Sequence, residues 1–244
     1  MASTSITGQV AIVTGGSRGY GEGIAQRLRE AGVDVWITAR DGDALQQTAE
    51  RIGCRPFVAD VTRGADWDRL FEEVLRERGR LDILVNNAGA GVNIAPLDEQ
   101  SDREIEASID INLLGPLLGC RRAAPLMKAQ KSGIIINISS VCALYAWPGY
   151  GPYSAAKAGL NQLGHCLHVE LRESGVRATT ITPSWGATGF AEAAGCAVQQ
   201  TEVRRKVMQP LEMGDLVVQV VSMPAHLAIP DITTLPLIQE IMPF

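Results

Sequence analysis

Short apolar runs alternate with longer stretches of helical period along most of the chain. Runs bounded by Gly, Pro or Asp predict strands at 9–14, 33–38, 55–59, 83–86, 133–139, 177–182 and 232–235. Amphipathic stretches between them predict helices at 19–31, 43–52, 65–78, 102–112, 117–129 and 152–173. The repeated strand–helix order predicts α/β architecture in a single domain over residues 1–244. The sheet should be doubly wound and parallel, of about seven strands, with helices on both faces. No linker-like stretch, heptad run or short repeat divides the chain. The segment 184–210, rich in Gly and Ala, has no such period and is expected to form a lid or substrate loop.

Composition narrows the picture. With 46% hydrophobic residues in 244, the chain can fill a sizeable core, which excludes a disordered class. A net charge of −5 argues against gripping nucleic acid or an anionic membrane. No stretch approaches the ~20 apolar residues of a membrane span. The first residues lack the basic and apolar regions of a secretory signal. Five cysteines do not make a paired framework, so a reduced, cytoplasmic setting is expected.

The first candidate chemistry follows the first strand, at Thr14-Gly15-Gly16-Ser17-Arg18-Gly19-Tyr20-Gly21. Glycines there allow a tight turn and a close backbone approach, and the helix that follows aims free N–H groups at a pyrophosphate. Taken alone, such a turn is also an ordinary βα connection. The second candidate is Tyr153-Ser154-Ala155-Ala156-Lys157. Residues i and i+4 share a helix face, so the phenol and the ammonium point the same way. An ammonium ~4 Å from a phenol, at an effective dielectric of ~20, is worth roughly 4 kcal/mol. That would lower the phenol's pKa by about three units at most, toward the range of a general acid/base.

These motifs resemble the short-chain dehydrogenase/reductase family, and the resemblance runs from Val10 to about Thr188. Thr-Gly-x-x-x-Gly-x-Gly is similar to its cofactor fingerprint, which places Gly15, Ser17, Arg18, Gly19, Tyr20 and Gly21 against NAD or NADP in a Rossmann-like fold. Asp60-Val61 matches the family's adenine contact. Asn86-Asn87-Ala88-Gly89 matches its Asn-Asn-Ala-Gly motif, with Asn87, Ala88 and Gly89 near the cofactor and Asn86 tying the sheet together. Ser140 lies thirteen residues ahead of Tyr153, the family's separation for the serine that bonds the substrate oxygen. Asn112 matches the asparagine that holds a relay water. The resemblance thus implies a catalytic set of Asn112, Ser140, Tyr153 and Lys157. It implies cofactor contacts from Tyr153 and Lys157 and from Pro183, Gly186 and Thr188. It also implies pairing of two long helices into a homodimer or homotetramer; no metal is expected, because no second ligand pair has a metal spacing.

The second strand bears on the choice of cofactor. An acidic residue at its end would bind a ribose 2′-OH, but this chain has Thr38-Ala39-Arg40-Asp41. Arg18 and Arg40 together would clamp a 2′-phosphate, so NADP(H) is expected over NAD(H). A solvated loop arginine is the bland alternative, and Asp41 weakens the clamp. The expected reaction moves a hydride between the nicotinamide and a carbonyl or alcohol of a small molecule, with Tyr153 as acid/base. A catalytically idle dinucleotide sensor or scaffold of the same fold is the competing reading.

Several features fall outside the family pattern. Ser184 replaces the glycine usual after the sixth strand, at a cost of roughly 1 kcal/mol if that site needs φ > 0. Tyr145, Trp147, Tyr150, Trp185 and Phe190 are expected around the substrate, with core packing an equal reading. Cys142 is a buried filler or a pocket residue. Arg204-Arg205-Lys206 form a solvated face or meet an anionic substrate. His165 and His168 lack a metal-ligand spacing and read as surface or packing residues.

Overall fold

A computed structural model describes residues 4–194 and 201–239. The expected strands form one parallel sheet: β1 (Val10–Thr14), β2 (Asp34–Ala39), β3 (Arg55–Val58), β4 (Ile83–Asn86), β5 (Gly133–Ile138), β6 (Val176–Pro183) and β7 (Asp231–Thr234). Their spatial order is β3-β2-β1-β4-β5-β6-β7. The winding reverses between β1 and β4, and a doubly wound sheet opens its ligand crevice at that point, beyond the carboxyl ends of the strands. The helices are α1 (Gly19–Glu30), α2 (Gly42–Ile52), α3 (Gly64–Arg78), α4 (Asp102–Ile109), α5 (Gly115–Gln130), α6 (Gly151–Leu171), α7 (Phe190–Ala193), α8 (Thr201–Arg204) and α9 (Pro210–Val221).

The central strands read as unbroken apolar runs because both of their faces are covered. In β1, Ala11 and Val13 enter one core with α1, α2 and α9, while Val10 and Ile12 enter a second with α3, α5 and α6. Of the leucines on α6, Leu160, Leu167 and Leu171 are buried and Leu163 packs against them, so this row serves the core. No helix among the described residues is long and apolar enough to cross a membrane.

The fold departs from expectation in three places. First, α9 has no counterpart among the expected helices. Gln209 and Glu212 form a reciprocal capping box at its start. Its valines pack through α1 at close range: a Cβ on Gly23 would lie 2.1 Å from the Pro210 carbonyl oxygen, and one on Gly214 2.3 Å from that of Gly23. Second, no break separates the helices expected at 102–112 and 117–129. A π-type turn, Asp110–Leu114, joins α4 to α5, with the Gly115 N–H bonded to Asp110 O. Pro116 fits there because the first turn of a helix tolerates proline. Third, the segment 184–210 is partly ordered by the single-turn helices α7 and α8 and by pairing of Gly186 with Met208. Its residues 195–200 lie outside the described residues. Ser184 is not among the residues at positive φ, so its expected strain is absent.

Candidate active site

The carboxyl ends of the central strands open on a cavity of about 740 Å³. The Gly-rich turn forms its floor at one end. Gly15 (φ +66) and Gly19 (φ +58) adopt the left-handed conformation that the turn needs. A Cβ on Gly15 would lie 2.9 Å from Ala88 Cα, and one on Gly21 would lie 2.1 Å from Gly15 O. Bare backbone is therefore required where the turn, α1 and the loop after β4 meet. Thr14 Oγ1 locks this junction, accepting the N–H groups of Asn87 and Ala88, each at 3.0 Å. Asn87 Nδ2 donates back to Thr14 O at 2.8 Å. Asn86 Nδ2 donates to Asn137 Oδ1 at 2.9 Å, joining β4 to β5 as expected.

Of the expected cofactor residues, Gly15, Ser17, Arg18, Gly19 and Tyr20 line the cavity from the turn. Arg40, Asp60 and Val61 line it beyond β2 and β3, and Asn87, Ala88 and Gly89 beyond β4. Pro183, Gly186 and Thr188 line it after β6. Gly21 does not line it; it lets α1 sit against the turn. Arg18 and Arg40 are exposed, and neither enters an ion pair among the described residues. Asp41 is not aimed at them: its carboxylate caps α2, accepting Ala44 N–H at 3.1 Å. The site offers a bare backbone cradle and, at one end, two guanidiniums without an ion-pair partner among the described residues, which suits an extended dinucleotide.

The chemical end is built where β5 runs out. Ser139 turns inward and bonds the Lys157 carbonyl at 3.4 Å, while Ser140 lines the cavity with the Tyr153 phenol. Ser140 Oγ also accepts Cys142 N–H at 3.2 Å, which opens the turn Val141–Ala143. Tyr153 and Lys157 stand one turn apart on α6, both nearly buried and both lining the cavity. Lys157 Nζ donates to Ile138 O at 2.9 Å and lies 5.8 Å from the centre of the Tyr153 ring.

This geometry corrects the expected electrostatics. Burial pushes the Tyr153 phenol above its ordinary range; the Cys142 thiol and the Tyr150 and Tyr20 phenols push the same way, against the opposing influence of the Ser140 hydroxyl. The ammonium does not offset this, because it faces a carbonyl rather than the phenol oxygen. Burial also lowers the Lys157 pKa to about 8. Tyr153 is thus a neutral phenol in the free protein, and burial makes it a weaker acid than a phenol in water.

Asn112 is fully buried in the π-type turn and does not line the cavity. Its amide ties the loop after β4: Nδ2 donates to Ala90 O (2.7 Å) and Ser108 O (2.9 Å), and Oδ1 accepts Ala90 N–H (3.2 Å). Gly89 lies between it and Lys157, since a Cβ there would meet Asn112 Oδ1 at 2.7 Å and Lys157 Nζ at 3.4 Å. The expected aromatic wall is mostly present. Phe190 packs on Tyr153 at 5.3 Å between ring centres and Tyr150 meets it edge-on at 6.1 Å; Trp147 and Trp185 also line the cavity. Tyr145 does not line it but backs Trp147 edge-on at 6.2 Å. Cys142 takes a lining position. Of the cations at 204–206, Arg204 lines the cavity; Gln239, which the sequence pattern does not single out, lines it too and is bonded to the Ser184 hydroxyl. His165 meets Asp231 at 2.9 Å on the surface, and no group among the described residues is arranged to hold a metal ion.

A doubly wound sheet with a Gly-rich cradle at its switch point defines a nucleotide-binding protein. The family follows from comparison with known proteins: the chain belongs to the short chain dehydrogenases, whose family model matches residues 9–210. An uncharacterized oxidoreductase of Staphylococcus aureus strain MRSA252 is 32% identical over 236 residues, which is 96% of this chain and 99% of that protein. A metagenomic short-chain oxidoreductase solved with NADP superposes with a TM-score of 0.83 at 32% identity, covering 97% of this chain and 100% of its own. The closed form of a serine dehydrogenase with NADP+ gives 0.87 at 28% identity, covering 97% and 98%. A 3-ketoacyl-(acyl-carrier-protein) reductase from Brucella melitensis, solved with NADH, gives 0.83 at 27% identity, covering 94% and 98%.

Proposed function

We propose that the protein is an NADP(H)-preferring carbonyl reductase or alcohol dehydrogenase acting on a small molecule. The observation that carries this reading is the convergence of Ser140, Tyr153 and Lys157 on one wall of the cavity that the Gly-rich turn also lines, with Lys157 one turn along α6 from Tyr153. When bound, the reduced dinucleotide supplies the hydride that a carbonyl carbon accepts. Ser140 Oγ and Tyr153 Oη hold the carbonyl oxygen between them and stabilise the charge that develops on it. Tyr153 then passes its phenolic proton to that oxygen, so one hydride and one proton complete the alcohol. Lys157, in its ammonium form, keeps a positive charge one helical turn from the phenolate left behind. Asn112 acts indirectly, fixing the loop that carries Gly89.

The preference for NADP(H) is supported by Arg18 and Arg40, which line the cavity without carboxylate partners among the described residues. The chain is further read as a cytoplasmic homodimer or homotetramer paired through α5 and α6, where Leu117 and Val169 stay exposed. The test of the function is a panel of carbonyls with NADPH and of alcohols with NADP+, followed by the absorbance of the reduced nicotinamide. Turnover of at least one class is expected. Tight dinucleotide binding without turnover across the panel would instead favour an idle sensor.

A further inference from the structure

Two segments remote from the catalytic set bring hydrogen-bond donors to the cavity. Gln239, past β7, is one. Its Oε1 accepts the Trp185 backbone N–H at 3.4 Å and the Ser184 hydroxyl. A backbone N–H can only donate, so the oxygen must face it, and the amide presents its NH₂ on the other side. Arg204 of α8 is the second, its backbone carbonyl held by Gln209 Nε2 at 2.9 Å. Its guanidinium meets the Glu192 carboxylate at 3.2 Å, with the two side chains 41% and 48% exposed. An ion pair that open to water gains little and exchanges readily. Arg205 and Lys206 do not line the cavity.

Among the described lining residues the carboxylates are Asp41 and Asp60, which follow β2 and β3 on the far side of the sheet from Tyr153. The end of the cleft beside β6 and α7 therefore presents donors and positive charge, with no carboxylate in its lining. We propose that the substrate carries a carboxylate, as in a short oxo- or hydroxy-carboxylic acid. Arg204 receives it in exchange for Glu192, the Gln239 amide donates to it, and Ser184 is the positioning residue that keeps that amide turned. This rests on the reductase reading above and names its substrate class.

The test titrates the NADP+-loaded protein by calorimetry with short 3-hydroxy acids and their methyl esters. It also compares kcat/KM for the matching 3-oxo acids and esters with NADPH. A charge-assisted contact predicts an acid-over-ester preference of about 10- to 100-fold in both measurements. That ratio should fall toward one in Arg204→Gln and be partly kept in Arg204→Lys. It should drop about threefold in Ser184→Ala, on the scale of one neutral hydrogen bond, and return in Ser184→Thr. Glu192→Gln, which removes the competing carboxylate, should tighten acid binding. Equal binding of acid and ester, or a ratio that Arg204→Gln leaves unmoved, overturns the proposal. Acid binding without reduction of any carbonyl would sink the reductase reading alone, and reduction of neutral ketones without an acid preference would sink this one alone.

Discussion

Removing the two arginines at the phosphate end should change which cofactor the protein holds. Arg18 and Arg40 are exposed, line the cavity and lack carboxylate partners among the described residues, so their substitution breaks no ion pair. A hydrogen bond to a charged group contributes about 1.5–3 kcal/mol. Exposure to water and salt discounts this to about 1–2 kcal/mol for each guanidinium here. Arg40→Ala or Arg18→Ala should then weaken NADPH binding by about 5- to 30-fold, and the pair together by about 30- to 1,000-fold. NADH lacks the 2′-phosphate and should change by less than about threefold. Dissociation constants for both nucleotides can be read from quenching of tryptophan fluorescence, since Trp147 and Trp185 line the same cavity. Salt should weaken NADPH binding in the native protein more than in the double variant. Equal losses for NADPH and NADH, or no loss for either, would refute the phosphate clamp.

Two further outcomes follow from burial and close packing. Lys157 falls from its ordinary 10.5 to about 8 in the folded protein, so between these values the unfolded chain binds more protons and stability rises with pH. Cys54 and Cys120, pushed up from 9 to about 12, act in the opposite direction above pH 9. Urea unfolding should therefore show stability rising by about 1 kcal/mol from pH 8 to pH 9, and Lys157→Met should abolish the rise; a rise that survives in the variant contradicts the buried-lysine assignment. Gly23→Ala places a methyl 2.1 Å from the Pro210 carbonyl oxygen and should destabilise the protein by about 1–3 kcal/mol, measured by urea unfolding. An unchanged midpoint would mean that α1 and α9 do not touch as described.

The strands are legible in the sequence because a parallel sheet buries both faces, and Ile134–Ile136 or Ile83–Val85 show as plain apolar runs. The helix α9 is not, because Val217, Val218, Val220 and Val221 favour strand by propensity while Pro210 reads as a breaker. Contact with α1 through Gly23 and Gly214 decides the matter, and no local pattern reports it. The join at Asp110–Leu114 hides for a similar reason: Gly115-Pro116 looks like a stop but lies inside the first turn of α5. At the site, residues just past a strand end are legible because topology carries them to the crevice. Spacing on α6 brings Tyr153 and Lys157 to one face, yet it does not reveal that the ammonium turns to Ile138 O. Nor does it say which loop tyrosine lines the cavity, and Tyr150 does where Tyr145 does not. Arg204 and Gln239 arrive from distant segments; the sequence offers the 204–206 cations as a solvated face or an anion contact without saying which of them reaches the cavity, and it gives no sign of Gln239.

Tyr153→Phe removes one oxygen atom and leaves the ring packed against Phe190. With the best carbonyl substrate and NADPH, the reduction rate should fall by about 10²- to 10⁴-fold, the range that a positioned proton donor supplies. NADPH binding to the same variant should stay within about threefold of the native value, because losing one neutral hydrogen bond is a small effect. A variant that still reduces the substrate at near the native rate would show that the proton comes from another group, and the chemistry assigned to this cleft would be wrong.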